Sequence, residues 1–221
     1  MHLYLDSADA QALTPLLRLP IIYGVTTNPT LQRRVELRER DLERFVRSCL
    51  ADGARAVQVQ VKGRAAGEMV EQARRFVAWG DSGRVIPKIP ATREGLIAVS
   101  ELARGGVRST VTAAFEPEQA LWALLAGARY VAPYLGRLND QGRDGLAVIA
   151  DMQRIVARYQ AAGNDCRLLV ASVRTIDDFR ALLELGVGAV TVAPPLLEEL
   201  LDNRATTRAE DEFLVDAEAV R

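Results

Sequence analysis

The chain has 221 residues, and 26 of its 28 basic side chains are arginine. The two exceptions are Lys62 and Lys88, and Lys88 sits in the apolar stretch "RVIPKIP" between two prolines. A strand-length apolar run is a costly place for an ammonium group, so this lysine calls for a reason. Burial strips an amine of hydration and favours its uncharged form, which can attack a carbonyl and make a Schiff base. A guanidinium cannot do this at any accessible pH. Arginine-rich codon usage would explain the lost surface lysines, but not one kept where arginine was the ready substitute. The competing use is a plain cation for a phosphate or a buried carboxylate. Lys62 is followed at once by Gly63 and reads as a rim or solvent-facing residue.

Other chemistries find little material. With His2 as the single histidine, a histidine-based triad or multi-histidine metal site has no basis. Cys49 and Cys166 lack metal-ligand or redox spacing and read as isolated buried thiols. Acidic and basic residues number 29 and 28, so no global field would draw the chain to nucleic acid or a membrane surface. No apolar run approaches the roughly 20 residues that span a bilayer, and "MHLYLDSADA" lacks the regions of a signal peptide. The expectation is a cytoplasmic, cofactor-free and metal-free protein whose partners are small molecules.

The elements that must position Lys88 follow a regular alternation. Strands are expected at 2–6, 21–26, 56–61, 84–89, 109–113, 129–134, 167–172 and 188–192. Helical patterns lie near 8–18, 40–51, 65–78, 92–104, 116–126, 143–161, 176–185 and 194–201. Eight strand–helix units predict an α/β chain folded as a (β/α)8 TIM barrel over residues 1–204. Alternation alone leaves an open doubly wound sheet possible. Residues 205–221 carry Phe213, Leu214 and Ala217 at helical spacing, which predicts an added C-terminal helix packed on the barrel or on a neighbouring subunit. Two residues fit poorly: Pro15 inside the first helix and Pro87 inside a central strand.

Side chains alternate along a strand, so parity assigns faces. Leu3, Leu5, Val57, Val59, Ile89, Val111 and Val131 should meet the helices. Tyr4, Asp6, Gln58, Gln60, Ile86, Lys88, Thr110, Thr112, Ala132 and Tyr134 should point inward. Most barrel interiors are packed with branched apolar chains, and barrel chemistry sits at the C-terminal ends of the strands. One polar strand-end residue is usually a loop cap. Several converging on one mouth describe a site.

The motifs "LYLDSAD" (3–9), "GVTTNPT" (24–30), "PKIPATREGL" (87–96), "YVAPYLGRL" (130–138) and "LVASVRT" (169–175) resemble the small transaldolase and fructose-6-phosphate aldolase family, in order, along essentially the whole chain. The resemblance implies a barrel with its Schiff-base lysine at Lys88 and a proton-transfer aspartate at Asp6. It places Asn28, with Thr26 beside it, on the dihydroxyacetone unit. Thr112 and Gln60 would hold a catalytic water, and Arg137, Ser172 and Arg174 a phosphate. Transaldolases of this family carry glutamate at the position of Gln60, serine at Ala132 and phenylalanine at Tyr134, and the aldolase branch matches this chain at all three. A phenol there can move a proton and activate the water that releases dihydroxyacetone. Against this, "VTAAFEPEQA" (111–120) and "YLGRLND" (134–140) look more like the short transaldolases, and the aldolases compared have asparagine where this chain has Gly136.

The leading expectation is therefore a class I aldolase that cleaves fructose 6-phosphate or a similar ketose phosphate to dihydroxyacetone and glyceraldehyde 3-phosphate. The alternative is a transaldolase; a non-catalytic sugar-phosphate-binding barrel is a third possibility. Family members form rings of subunits, which implies a homo-oligomer.

Overall fold

In the computed structural model, which describes residues 1–81 and 83–220, eight parallel strands close into a barrel in chain order. They are β1 (His2–Asp6), β2 (Ile22–Thr26), β3 (Ala56–Gln60), β4 (Val85–Pro90), β5 (Thr110–Ala114), β6 (Tyr130–Pro133), β7 (Arg167–Val173) and β8 (Ala189–Val192). Closure excludes the open sheet, and the strands lie within a residue or two of their expected places.

Parity holds in the packing. Leu5, Val25, Val57, Val59, Ile89, Val111, Val131, Val170 and Val190 form one apolar layer between sheet and helices. Tyr4, Ile86, Tyr130, Ala132 and Leu169 form a second, smaller cluster inside the barrel. The inner layer is too small to fill the cylinder alone. Buried Thr26, Gln58, Lys88, Thr110, Thr112 and Thr191 complete it, and the Thr110 hydroxyl donates to Gln58 Oε1 at 2.8 Å.

The outer helices are α1 (Ala10–Leu17), α3 (Glu39–Ala51), α4 (Ala66–Val77), α5 (Arg93–Arg104), α6 (Pro117–Leu125), α8 (Gly145–Ala161), α9 (Ile176–Glu184) and α10 (Pro194–Leu201). Asp9, Thr92, Asp144 and Thr175 cap α1, α5, α8 and α9 by accepting backbone N–H bonds, each cap worth about 1 kcal/mol. Two helices were not expected, α2 (Pro29–Arg34) and α7 (Leu135–Asp140). Six residues are too few to show a helical period, and both begin directly after a strand motif.

The prolines are accommodated locally. Pro15 lies near the end of the short α1. At Pro87 the neighbouring positions carry the ladder: Val61 donates to the Lys88 carbonyl at 3.0 Å, and the pairing of β4 with β5 begins only at Lys88.

The tail is the added helix that was expected. It forms α11 (Arg204–Ala219), starting one residue before the expected boundary, but none of its residues is buried. Phe213 is 71% exposed, and Leu214 and Ala217 are exposed too. The helix does not pack its apolar positions on its own barrel. Among the described residues no helix is long and apolar enough to cross a membrane.

Candidate active site

Lys88 is 2% exposed. Its Nζ donates to the Thr27 carbonyl at 3.2 Å, and the side chain reaches the floor of a pocket of about 300 Å³ at the C-terminal mouth of the barrel. Lys62, by contrast, lies beyond its strand with half its side chain exposed and pairs with Glu39 at 2.9 Å. Of the two lysines, only Lys88 can meet a ligand inside the fold.

Asp6, at the end of β1, lines the same pocket. Its Oδ1 accepts from the Thr26 hydroxyl at 2.7 Å, and Thr26 lies 2.7 Å from the Thr191 hydroxyl. Burial pushes the Asp6 carboxyl above the ordinary carboxylate range, while the Lys88 charge, the Thr26 bond, Arg137 and Arg34 pull the other way. A carboxyl shifted upward in this manner binds a proton more tightly than a solvated one and is the stronger base once ionised.

Asn28 caps α2: its Oδ1 accepts from Thr30 N at 3.0 Å and Leu31 N at 3.1 Å. Its carbonyl oxygen is thereby used, and the amide NH2 remains as a donor at the pocket wall. Opposite, Tyr134 sits 2.7 Å from the Thr112 hydroxyl and edge-on to Phe115. The Arg137 guanidinium lies over the Tyr134 ring, 4.6 Å from its centre.

Backbone irregularities aim the remaining groups. Ser172 has φ +60° and Ala113 φ +57°, left-handed conformations that cost of order 1–3 kcal/mol outside glycine. Both fall where the strand register shifts, in β7 and β5. The β7 irregularity puts Ser172 on the pocket wall. Gly136 permits its close approach, since a Cβ there would come 2.8 Å from Ser172 Oγ and 2.5 Å from Arg174 Nε. Arg174 lines the pocket, yet it also donates both terminal nitrogens to Asp140 at 2.7 and 2.6 Å.

Of the residues expected from sequence, Lys88, Asp6, Asn28, Tyr134, Arg137, Ser172 and Arg174 meet on one pocket. Thr26 and Thr112 are fully buried behind it, each bonded to a pocket residue. Gln60 is half-buried at the end of β3, in register with Lys88, but does not line the pocket; parity gives the face a side chain takes, not whether it reaches the cavity. The sequence reading missed Arg34, which lines the pocket from the end of α2. The available signal was an arginine shortly after the "GVTTNPT" motif; its helix was too short to be seen. Cys49 and Cys166 are buried thiols pushed up to about 12 by desolvation, so neither is a nucleophile.

A closed parallel barrel thus brings a buried lysine, a carboxyl and arginine donors to one cavity at its C-terminal mouth. The chain belongs to the transaldolase/fructose-6-phosphate aldolase family, whose sequence profile matches residues 3–220. A protein of Streptococcus equi subsp. equi (strain 4047) named "Probable transaldolase" is 34% identical over 98% of this chain and 97% of its own length. A like-named protein of Streptococcus pyogenes serotype M5 (strain Manfredo) has the same identity and coverage. Among solved structures, the flavin-binding domain of baker's yeast flavocytochrome b2 superimposes with a TM-score of 0.59 at 12% identity, covering 88% of this chain and 56% of that one. A mandelate oxidase gives 0.57 at 16% identity, with 87% and 63% covered. At such identities these two likenesses concern the barrel only, and this chain spans less than two thirds of the length of either.

Proposed function

We propose that the chain is a Schiff-base enzyme that breaks the C3–C4 bond of a ketose phosphate and passes the dihydroxyacetone unit to an aldehyde acceptor. One observation carries the reading: a fully buried lysine whose amine meets a carboxyl and an arginine-lined rim in one pocket. Family membership supports this bond-breaking chemistry, and the names of the relatives favour transfer. Lys88 attacks the C2 ketone, and loss of water from the carbinolamine leaves an iminium. Asp6 takes the proton of the C4 hydroxyl. The C3–C4 electrons then flow into the iminium, the aldehyde departs and an enamine remains. The enamine attacks the acceptor aldehyde, its new alkoxide is protonated, and hydrolysis returns the free amine. Asn28 donates to the hydroxyls of the three-carbon unit, while Arg137 and Ser172 take the phosphate.

A second reading, release of dihydroxyacetone to water as in an aldolase, draws on Tyr134 and Thr112. Their 2.7 Å contact leaves a phenol beside the lysine pocket that could protonate the enamine. The test is borohydride reduction with dihydroxyacetone followed by mass spectrometry, then assays on fructose 6-phosphate with and without erythrose 4-phosphate. An adduct on Lys88 and turnover that needs the acceptor are expected for transfer. Turnover without acceptor selects the second reading, and absence of an adduct sinks both, leaving only a binding barrel.

A further inference from the structure

Arg34 has no place in the scheme above, yet it is on the pocket wall while its neighbour Arg33 is not. We propose that Arg34 is a specificity residue that selects phosphate monoesters by closing the anion site from the side opposite Arg137 and Arg174. The inference rests on the sugar-phosphate reading of the pocket.

Three observations carry it. First, the position is built. Asn28 caps the start of α2, and its far end is closed by Leu37 N donating to the Gln32 carbonyl at 2.9 Å, with Glu36 turned left-handed at φ +55°. The helix that presents Arg34 is thus tied at both ends, and the capping residue is itself on the pocket. Second, Arg34 follows β2, whereas Arg137 and Arg174 follow β6 and β7. In a closed ring of eight strands these lie across the mouth from one another, so an anion between them is gripped from both sides. Third, the three arginines differ in availability. Arg174 shares its fork with Asp140, and Arg137 is stacked on Tyr134. Arg34 makes no hydrogen bond or ion pair among the described residues.

Charge matching points to the ligand class. Three guanidiniums line the pocket, Arg34, Arg137 and Arg174, against Asp140 paired with Arg174, while Lys88 and Asp6 are left out of the count as the reacting pair. The balance of plus two matches one phosphate monoester, which carries about −1.5 to −2 near neutral pH. Without Arg34 the mouth would be one charge short. Arg33 and Arg34 both stand in the last turn of α2, so a charge there for the helix end alone would be served by either.

The experiment compares Arg34→Gln with Arg33→Gln as the control. For Arg34→Gln, KM for fructose 6-phosphate and the inhibition constant of inorganic phosphate should rise about 10- to 100-fold, the range for losing a charge-assisted contact. The rise should shrink at high salt. Turnover at saturation and the borohydride adduct formed with unphosphorylated dihydroxyacetone should stay within about twofold. Arg33→Gln should move none of these. An unchanged KM and phosphate constant, an equal loss in dihydroxyacetone trapping, or the same effect from Arg33→Gln would overturn the proposal. If the parent protein yields no adduct at all, the Schiff-base reading fails. Thermal-shift titration with inorganic phosphate then decides the role of Arg34 by itself: weaker phosphate binding by Arg34→Gln upholds it, and equal binding refutes it.

Discussion

The two mouths of the barrel turn polar residues to opposite ends. At the N-terminal mouth, His2 stacks on Tyr23 with ring centres 3.7 Å apart, and its Nδ1 lies 2.9 Å from the Tyr130 hydroxyl. Tyr4 donates to that same hydroxyl at 3.0 Å. These ring groups partner one another, although Arg167 Nε at the start of β7 and Ser109 Oγ just before β5 have no partner. At the C-terminal mouth a lysine, a carboxyl and the Arg34 and Arg137 guanidiniums surround open space. A polar cluster that satisfies itself holds a barrel end together. One whose donors converge on a cavity is set up for a ligand.

Breaking the open mouth should have the larger consequences for activity. Lys88→Met should abolish turnover, a loss of at least about 10⁴-fold, and remove the borohydride adduct; retained turnover would end the Schiff-base reading. Asp6→Asn should lower turnover by about 10²- to 10⁴-fold. Its thermal midpoint should behave differently. Because the folded carboxyl is shifted upward, the unfolded chain ionises first, and stability falls as pH rises from the unfolded value through the folded one. Asparagine escapes that cost, so the midpoint of Asp6→Asn at pH 8 should be no lower than the parent's in calorimetry. A clear drop would make Asp6 a structural residue instead.

Tyr134→Phe sharpens the comparison within the site. Direct release of dihydroxyacetone should fall about tenfold, and transfer to erythrose 4-phosphate should fall less. Equal losses would count against a proton-carrying phenol. Gly136→Ala should raise KM for the phosphorylated substrate several-fold with little change in turnover, because the added methyl crowds Ser172 and Arg174. The smallest effect belongs to the closed mouth. Burial, with Arg167, the N-terminal amine, Arg129 and Arg55 adding to it, pushes His2 down to about 4. The unfolded chain therefore takes up the proton first, and stability is kept above pH 6.5 and lost as pH falls from 6.5 through about 4. Discounted for solvent screening at a half-buried ring, this is on the order of 1 kcal/mol. His2→Gln should flatten that part of the stability–pH curve in denaturant titrations and leave turnover unchanged.

Much of this was legible beforehand, for identifiable reasons. Valines at every second position in "AVQVQV" disclose which face meets the helices, since one face of each barrel strand must be apolar. Lys88 stood out because its chemistry clashes with its setting. Arg34 and the absence of Gln60 from the pocket lining did not, since a six-residue helix has no readable period and a strand's end does not announce where the pocket wall stops. The tail shows the same limit: Phe213 and Leu214 mark an apolar stripe, but the stripe does not say what covers it, and the barrel of the same chain leaves it bare.

Local chemistry written in the chain determined the alternation of elements, the inward and outward faces, and the one lysine set inside an apolar strand. Each depends on neighbours a few positions apart. Tertiary structure alone decided closure of the sheet, the left-handed turns at Ala113 and Ser172, and the meeting of Arg34 with Arg137 across the mouth. These depend on contacts between residues far apart in the chain, and no local pattern encodes such distances.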